Sequence, residues 1–149
     1  MKIALGSDHG GFELKNQIKE FLIDDGHEVV DFGCNSSESV NYPSFGFLVG
    51  EAVSSKECKR GIVICGSGIG ISIAANKVKG IRCALVHDAY SAKLTRLHND
   101  SNVLAMGGRI IGPDLAKEIV KVWIGTGYEG GRHQLRLDII GEYEQKGDK

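Results

Sequence analysis

Cys65, Gly66, Ser67, Gly68, Ile69 and Gly70 follow one another in mid-chain and carry the strongest chemical signal in the sequence. A strand-like stretch, Gly61-Ile62-Val63-Ile64, precedes them, and a helix-like one, Ile71 to Lys77, follows. A strand, a glycine turn and a helix start make an anion-binding nest. Backbone N–H groups left unpaired at a helix N-terminus point outward, and the partial positive charge of the helix end adds to them. Glycine lets a ligand come close to that backbone. A cysteine at this spot has its thiolate stabilised by the same field and becomes a usable base or nucleophile. A buried structural thiol is the bland alternative for any cysteine, but the glycine turn favours function at Cys65. Cys34, Cys58 and Cys83 abut no such turn and take the structural reading.

Three further groups could share in that chemistry. Asp8-His9 follows the first strand-like run, where an open parallel sheet binds its ligands, although the pair could equally cap the first helix. His98-Asn99-Asp100 offers an imidazole at the polar end of a helix, where a histidine cation is favourable on structural grounds alone. Arg132 and Arg136 are four apart on a helical stretch with His133 adjoining, and two guanidinium forks suit a phosphate dianion. Gly130-Gly131 permits a bend that swings this pair toward the sheet edge. A dinucleotide site is a weak competitor. The GxGxG run follows the third strand, no GK[ST] follows it, and the first turn, Gly6-Ser7-Asp8-His9-Gly10-Gly11, carries a carboxylate that repels a pyrophosphate. Only Asp31, as a ribose-binding acid, speaks for it.

The elements that must position these groups alternate along the chain. Strands are expected at Ile3–Gly6, Glu28–Phe32, Gly61–Cys65, Arg82–Val86 and Val103–Gly107. Between them lie amphipathic helices, the pattern of βα units with a parallel sheet. Leu14, Ile18, Phe21 and Leu22 share one helical face, with Gly26 as the stop. A second helix is expected over Leu48 to Val53, entered after Tyr42-Pro43-Ser44 with Ser44 as cap. The fourth runs from Asp88 to about His98 and buries Tyr90, Leu94 and Leu97. The fifth opens at Gly112-Pro113-Asp114, with Leu115, Ile119 and Val122 inward. A last helix, about 132–146, carries Leu135, Ile139 and Tyr143 on one side, with a frayed tail beyond.

With 149 residues, 42% hydrophobic and 25% charged, the chain has the make-up of one globular domain. Its 18 basic and 19 acidic residues are interspersed, for a net charge of −1, so no global field favours nucleic acid or an anionic membrane. The four cysteines show no CxxC spacing and the five histidines no HxxxH or HxH pair, so no metal is expected. The first residues do not read as secretory, no stretch approaches a membrane span, and the thiols are expected reduced in the cytosol.

Gly6-Ser7-Asp8-His9-Gly10-Gly11-Phe12, Tyr42-Pro43, the Cys65–Gly70 run, Asn76-Lys77-Val78, His98-Asn99-Asp100, Gly112-Pro113 and Glu129-Gly130-Gly131-Arg132-His133 together resemble the ribose-5-phosphate isomerase B family, over Lys2 to about Ile140. That family also contains allose-6-phosphate isomerases and subunits of galactose-6-phosphate isomerase. The resemblance implies an α/β fold, a Rossmann-like three-layer α/β/α sandwich on a five-stranded parallel sheet. It further implies a cofactor-free and metal-free aldose–ketose isomerase of sugar phosphates, and a homodimer, sometimes paired into a tetramer. Carried over, Cys65 matches the proton-moving base and His98 the group that opens the sugar ring, with Asp8 and Ser67 in the catalytic set. Asp8, His9 and Tyr42 match substrate contacts, and Gly66, Ser67, Gly68, Ile69 and Gly70 match the anion hole. Asn99, Arg109, Arg132 and Arg136 match further substrate and phosphate contacts. The site is expected to be shared between chains, with His98, Asn99 and Arg109 facing the partner's nest. The family nest commonly has threonine where this chain has Ser67; the hydroxyl is kept, and a broader sugar preference is implied.

The chemistry of such a reaction agrees with these residue types. Moving a proton between C1 and C2 of an open-chain sugar phosphate passes through an enediolate. Its oxygen charge needs preorganised donors and its C–H needs a base.

Overall fold

The apolar runs of the sequence become a parallel sheet in the computed structural model, which describes residues 1–147. The strands are β1 (Lys2–Ser7), β2 (Glu28–Asp31), β3 (Arg60–Cys65), β4 (Cys83–Leu85) and β5 (Val103–Gly107), paired in the order β2-β1-β3-β5-β4. The helices are α1 (Phe12–Asp24), α2 (Tyr42–Ser54), α3 (Ile69–Ala75), α4 (Ala89–Asn99), α5 (Pro113–Gly125) and α6 (Arg132–Lys146).

Strand order and handedness dictate the layers. The chain steps one way from β1 to β2, turns back across β1 to reach β3, and passes β5 to reach β4 before returning. Right-handed crossovers therefore put α1 and α4 on one face and α2 and α3 on the other. α5 joins the first face, packed on α1 and α4. Alternation along the strands feeds both layers. Ile3, Leu5, Ile62, Ile64, Leu104 and Met106 meet Leu14, Ile18, Ile119 and Trp123 on one side. Ala4, Val63, Val103 and Ala105 meet Val49, Val53, Ile71 and Ala75 on the other. The expected α/β/α sandwich is thus observed.

Two polar anchors complete the first face. The buried Trp123 donates its indole N–H to Ser101 Oγ at 2.8 Å. Arg60 lies 5.2 Å over the Trp123 ring and donates to the carbonyls of Trp123 and Ile124 at 2.9 Å, satisfying the end of α5. Burial pulls Arg60 down to about 10, which leaves it charged at neutral pH.

Several expected boundaries and faces shift. α2 begins at Tyr42, well before Leu48, and Ser44 lies inside its first turn; Asn41 is the N-cap. Pro43 is tolerated there because a first-turn N–H has no intrahelical partner to lose. Asp88 precedes α4 and caps it, accepting from the Ser91 N–H at 2.7 Å. The buried face of α4 is Ala92 and Arg96, while Tyr90 is 70% exposed. On α5 the buried set is Ala116, Ile119, Val120 and Trp123, with Leu115 at the margin. Gly147 is a turn after α6, and the rest of the expected frayed tail, 148–149, lies outside the described residues. Among the described residues no helix is long and apolar enough to cross a membrane.

Candidate active site

The doubling-back of the chain leaves a crevice between β1 and β3 at their carboxyl ends, where an open parallel sheet receives its ligand. Cys65 closes β3 there, 5% exposed, and its Sγ accepts the Gly68 N–H at 3.1 Å. Gly68 is the N-cap of α3 with φ +78°. A Cβ on it would lie 2.6 Å from Leu85 and 2.7 Å from the Met106 carbonyl carbon, so both conformation and space demand glycine. Ser67 Oγ accepts the Ile69 N–H at 3.3 Å. Two of the amides expected to form the anion hole thus already have partners within the loop. β5 clamps the nest: Gly108 N–H donates to the Cys65 carbonyl at 2.8 Å and Arg109 N–H to the Gly66 carbonyl at 3.0 Å. The Arg109 guanidinium folds over Gly66 of its own chain, 3.3 Å from where a Cβ would stand. The Tyr42 ring covers Gly70 from the other side, 2.6 Å from the equivalent point.

Across the crevice, Asp8 Oδ1 accepts the N–H groups of Gly10 and Gly11 at 2.9 and 3.2 Å, so it caps the 3-10 turn His9–Gly11 that leads into α1, whose own N-cap is Gly11. His9 Nδ1 accepts the Val40 N–H at 3.2 Å, which puts the proton of the neutral ring on Nε2. His9, Gly10, Glu13, Ser37, Gly108 and Arg109 line a cleft of about 230 Å³. Glu13 and Ser37 were not legible as site residues, because nothing in their local spacing announces a ligand. The other cysteines differ from Cys65. Burial pushes the Cys83 thiol up to about 12 and raises that of Cys58, so both are inert at neutral pH.

The remaining candidates assemble elsewhere. His98, on the last turn of α4, stacks on His133 of α6 with ring centroids 4.3 Å apart and planes at 18°. Glu129 Oε2 lies 3.4 Å from His133 Nε2 and 4.0 Å from His98 Nε2. Asn99, Arg132 and Arg136 join the two imidazoles around a cleft of about 440 Å³. Gly130 and Gly131, at φ +68° and +57°, turn the chain so that α6 starts beside the end of α4. Glu129 N–H donates to the Leu97 carbonyl at 3.1 Å and fixes that approach. The Gly130-Gly131 bend therefore delivers the arginines to the amino edge of the sheet, not to the carboxyl edge where the nest lies. Glu129 and His133 stand in the sequence only as members of the Glu129–His133 motif, with no role of their own assigned, since their meeting with His98 depends on a helix distant in sequence.

α4 runs antiparallel to the strands, from the carboxyl edge at Asp88 to the amino edge, where Asn102 leads into β5. Eleven helical residues span about 16 Å. Cys65 and His98 thus stand at opposite edges of one sheet and do not meet within a chain. One edge offers a thiol and amides, the equipment for carbon-acid chemistry; the other offers imidazoles and guanidinium groups, the equipment for proton transfer and anion binding.

Comparisons with known proteins place the chain in a family. The chain matches the Ribose/Galactose Isomerase family over residues 3–140. It is 52% identical to ribose-5-phosphate isomerase B of Escherichia coli, covering 97% of each chain. It is 42% identical to the galactose-6-phosphate isomerase subunit LacA of Clostridium acetobutylicum, covering 94% of this chain and 97% of that one. Its fold superposes on the ribose-5-phosphate isomerase B structure of Clostridium thermocellum with a TM-score of 0.97 at 57% identity, covering 98% of this chain and 99% of that one. The chain belongs to the ribose/galactose isomerase family and is a sugar-phosphate isomerase.

Proposed function

We propose that the enzyme interconverts D-ribose 5-phosphate and D-ribulose 5-phosphate through an enediolate, at a site completed by two copies of the chain. Cys65, as thiolate, takes the proton from C2 of the open-chain aldose while the C1 carbonyl accepts the electron pair. The same sulfur returns that proton to C1 while the O2 proton passes to O1, so that O1 becomes the hydroxyl and O2 the C2 carbonyl. Ser67 and the remaining amides of the Gly66–Gly70 run face the developing oxygen charge. Asp8 shapes the turn that presents His9 to the sugar, and Tyr42 and Ile69 wall the nest.

The observation that carries this reading is Cys65 at the carboxyl end of β3, with its Sγ engaged by the Gly68 amide at 3.1 Å. His98, Asn99, Arg132 and Arg136 come from a second copy: His98 opens the ring and the arginines grip the phosphate. Exposed apolar residues support that assembly. Ile69 and Ile73 beside the nest are 54% and 56% exposed, and Leu135, Ile139 and Tyr143 of α6 are 69%, 66% and 79% exposed. An isologous pairing that buries these faces sets each nest against the other copy's histidines. Arg109 serves the nest of its own chain. No cofactor takes part, and the four cysteines, all unpaired thiols, suit the cytosol.

The test is an isomerase assay of wild type and Cys65→Ala on ribose 5-phosphate, allose 6-phosphate and galactose 6-phosphate. Wild type should favour the five-carbon substrate, and Cys65→Ala should lose kcat by about 10³. Undiminished turnover in Cys65→Ala removes the thiol from the mechanism, and faster turnover of a six-carbon substrate overturns the assignment of the sugar.

A further inference from the structure

We propose that His98, Glu129 and His133 form a binding site for a divalent transition metal of borderline softness, of the Zn²⁺ or Co²⁺ kind. Two imidazoles and one carboxylate are a donor set such ions take readily. Sequence spacing hides this set. It draws on the last turn of α4, the loop that follows α5 and the first turn of α6, with no HxxxH or HxH pair among them.

Distances, an orphaned nitrogen and a fixed backbone support the site. The three donor atoms lie within 4.8 Å of one another. A tetrahedral ion with bonds of about 2.0–2.1 Å holds its ligand atoms about 3.4 Å apart. The Glu129–His133 separation is already 3.4 Å and the Glu129–His98 separation is 4.0 Å. Glu129 is exposed and His98 half-buried, so rotation of Glu129, with the His98 ring turned out of its 4.3 Å stack on His133 so that both lone pairs converge, closes the remainder. His133, by contrast, is held in place at 7% exposure. Its Nε2 is buried and faces the carboxylate without donating a hydrogen bond to it, and it has no hydrogen-bond partner among the described residues. A buried polar atom left unpaired is costly, and a metal ion would satisfy it. The backbone is set in advance by the Glu129–Leu97 hydrogen bond of 3.1 Å and the two left-handed glycines that fold Glu129 back over His133. Arg132 and Arg136 line the adjoining cleft. Their charge opposes a bare dication and favours an anion as fourth ligand.

A bound ion occupies the His98 Nε2 lone pair, so a loaded site is an inhibited isomerase. That consequence rests on the ring-opening role given to His98; metal binding does not.

The experiment titrates chelator-stripped protein with Co²⁺, read by visible absorption, and with Zn²⁺, read by calorimetry, in wild type, Glu129→Gln, His133→Gln and Cys65→Ser. The expected result is one ion per chain, with Co²⁺ bands of a four- or five-coordinate centre that persist in Cys65→Ser. Affinity should fall at least about tenfold in Glu129→Gln, an exposed position where the fold should survive. Affinity unchanged in Glu129→Gln and His133→Gln, absorption of hydrated Co²⁺ alone, or binding abolished by Cys65→Ser overturns the proposal. Binding at this site without loss of turnover supports the metal site and removes His98 from ring opening, so the two ideas fail separately.

Discussion

Gly68 is where backbone and chemistry are most tightly joined. Its amide engages the Cys65 sulfur, its φ of +78° is the left-handed conformation, and the space its side chain would need holds Leu85 and Met106. Gly68→Ala should cost about 3 kcal/mol, from left-handed strain plus overpacking, and should lower kcat through displacement of the amide. Chemical denaturation checks the first effect and the isomerase assay the second; a variant as stable as wild type contradicts this reading of the nest. The Cys65 nest was legible in the sequence because strand, glycine turn and helix start are contiguous, so local spacing carries the geometry. For Asp8 the sequence offered both a substrate contact and a cap, and only the coordinates show its Oδ1 committed to the Gly10 and Gly11 amides. Glu129 was legible as part of a motif but not in its contacts: an exposed glutamate gains that meaning only from imidazoles on two other elements.

Among the elements, α1 and β2 are locked by a buried ion pair that also anchors the chain after β2. Lys15, 1% exposed, donates to both Asp31 oxygens at 2.8 and 2.9 Å and to the Cys34 carbonyl at 2.8 Å, and Lys19 adds a contact at 3.0 Å. Burial alone would raise Asp31. The hydrogen bonds from Lys15, the Gly33 N–H and Lys19 outweigh it and hold the carboxyl below its usual range. A carboxylate depressed in the folded state stabilises the fold at pH values above its unfolded value of about 4, and that contribution is lost as pH falls through the folded value. Asp31→Asn, which strands the buried Lys15, should be about 2–3 kcal/mol less stable than wild type at pH 7, with the gap narrowing below about pH 4. Denaturant midpoints across that range decide it, and a gap that does not change with pH contradicts the ion pair. Strand positions were legible because the apolar runs are short and bounded by turn residues. The start of α2 was not: the bias of a residue before proline argued against helix at Tyr42, and tertiary packing against the nest overrode it. The face of α6 was half legible, since spacing shows a stripe of Leu135, Ile139 and Tyr143 but not that this stripe turns away from its own core.

At the scale of the whole molecule, the sheet separates what the proposed chemistry unites. β3 delivers Cys65 to the carboxyl edge and α4 carries His98 back to the amino edge, a helix length of about 16 Å away. The apolar stripes of α3 and α6 flank these two half-sites, so symmetric association of two chains can bury the stripes and bring unlike halves together. Subunit mixing tests this most directly. Cys65→Ala and His98→Asn are each expected to be nearly inactive alone. After reversible dissociation and random reassociation, half of the dimers pair one of each, and each mixed dimer holds one intact site. Turnover should therefore recover to about a quarter of the wild-type value. If exchange is verified by mass and turnover stays at the level of the separate variants, Cys65 and His98 do not serve one site across two chains.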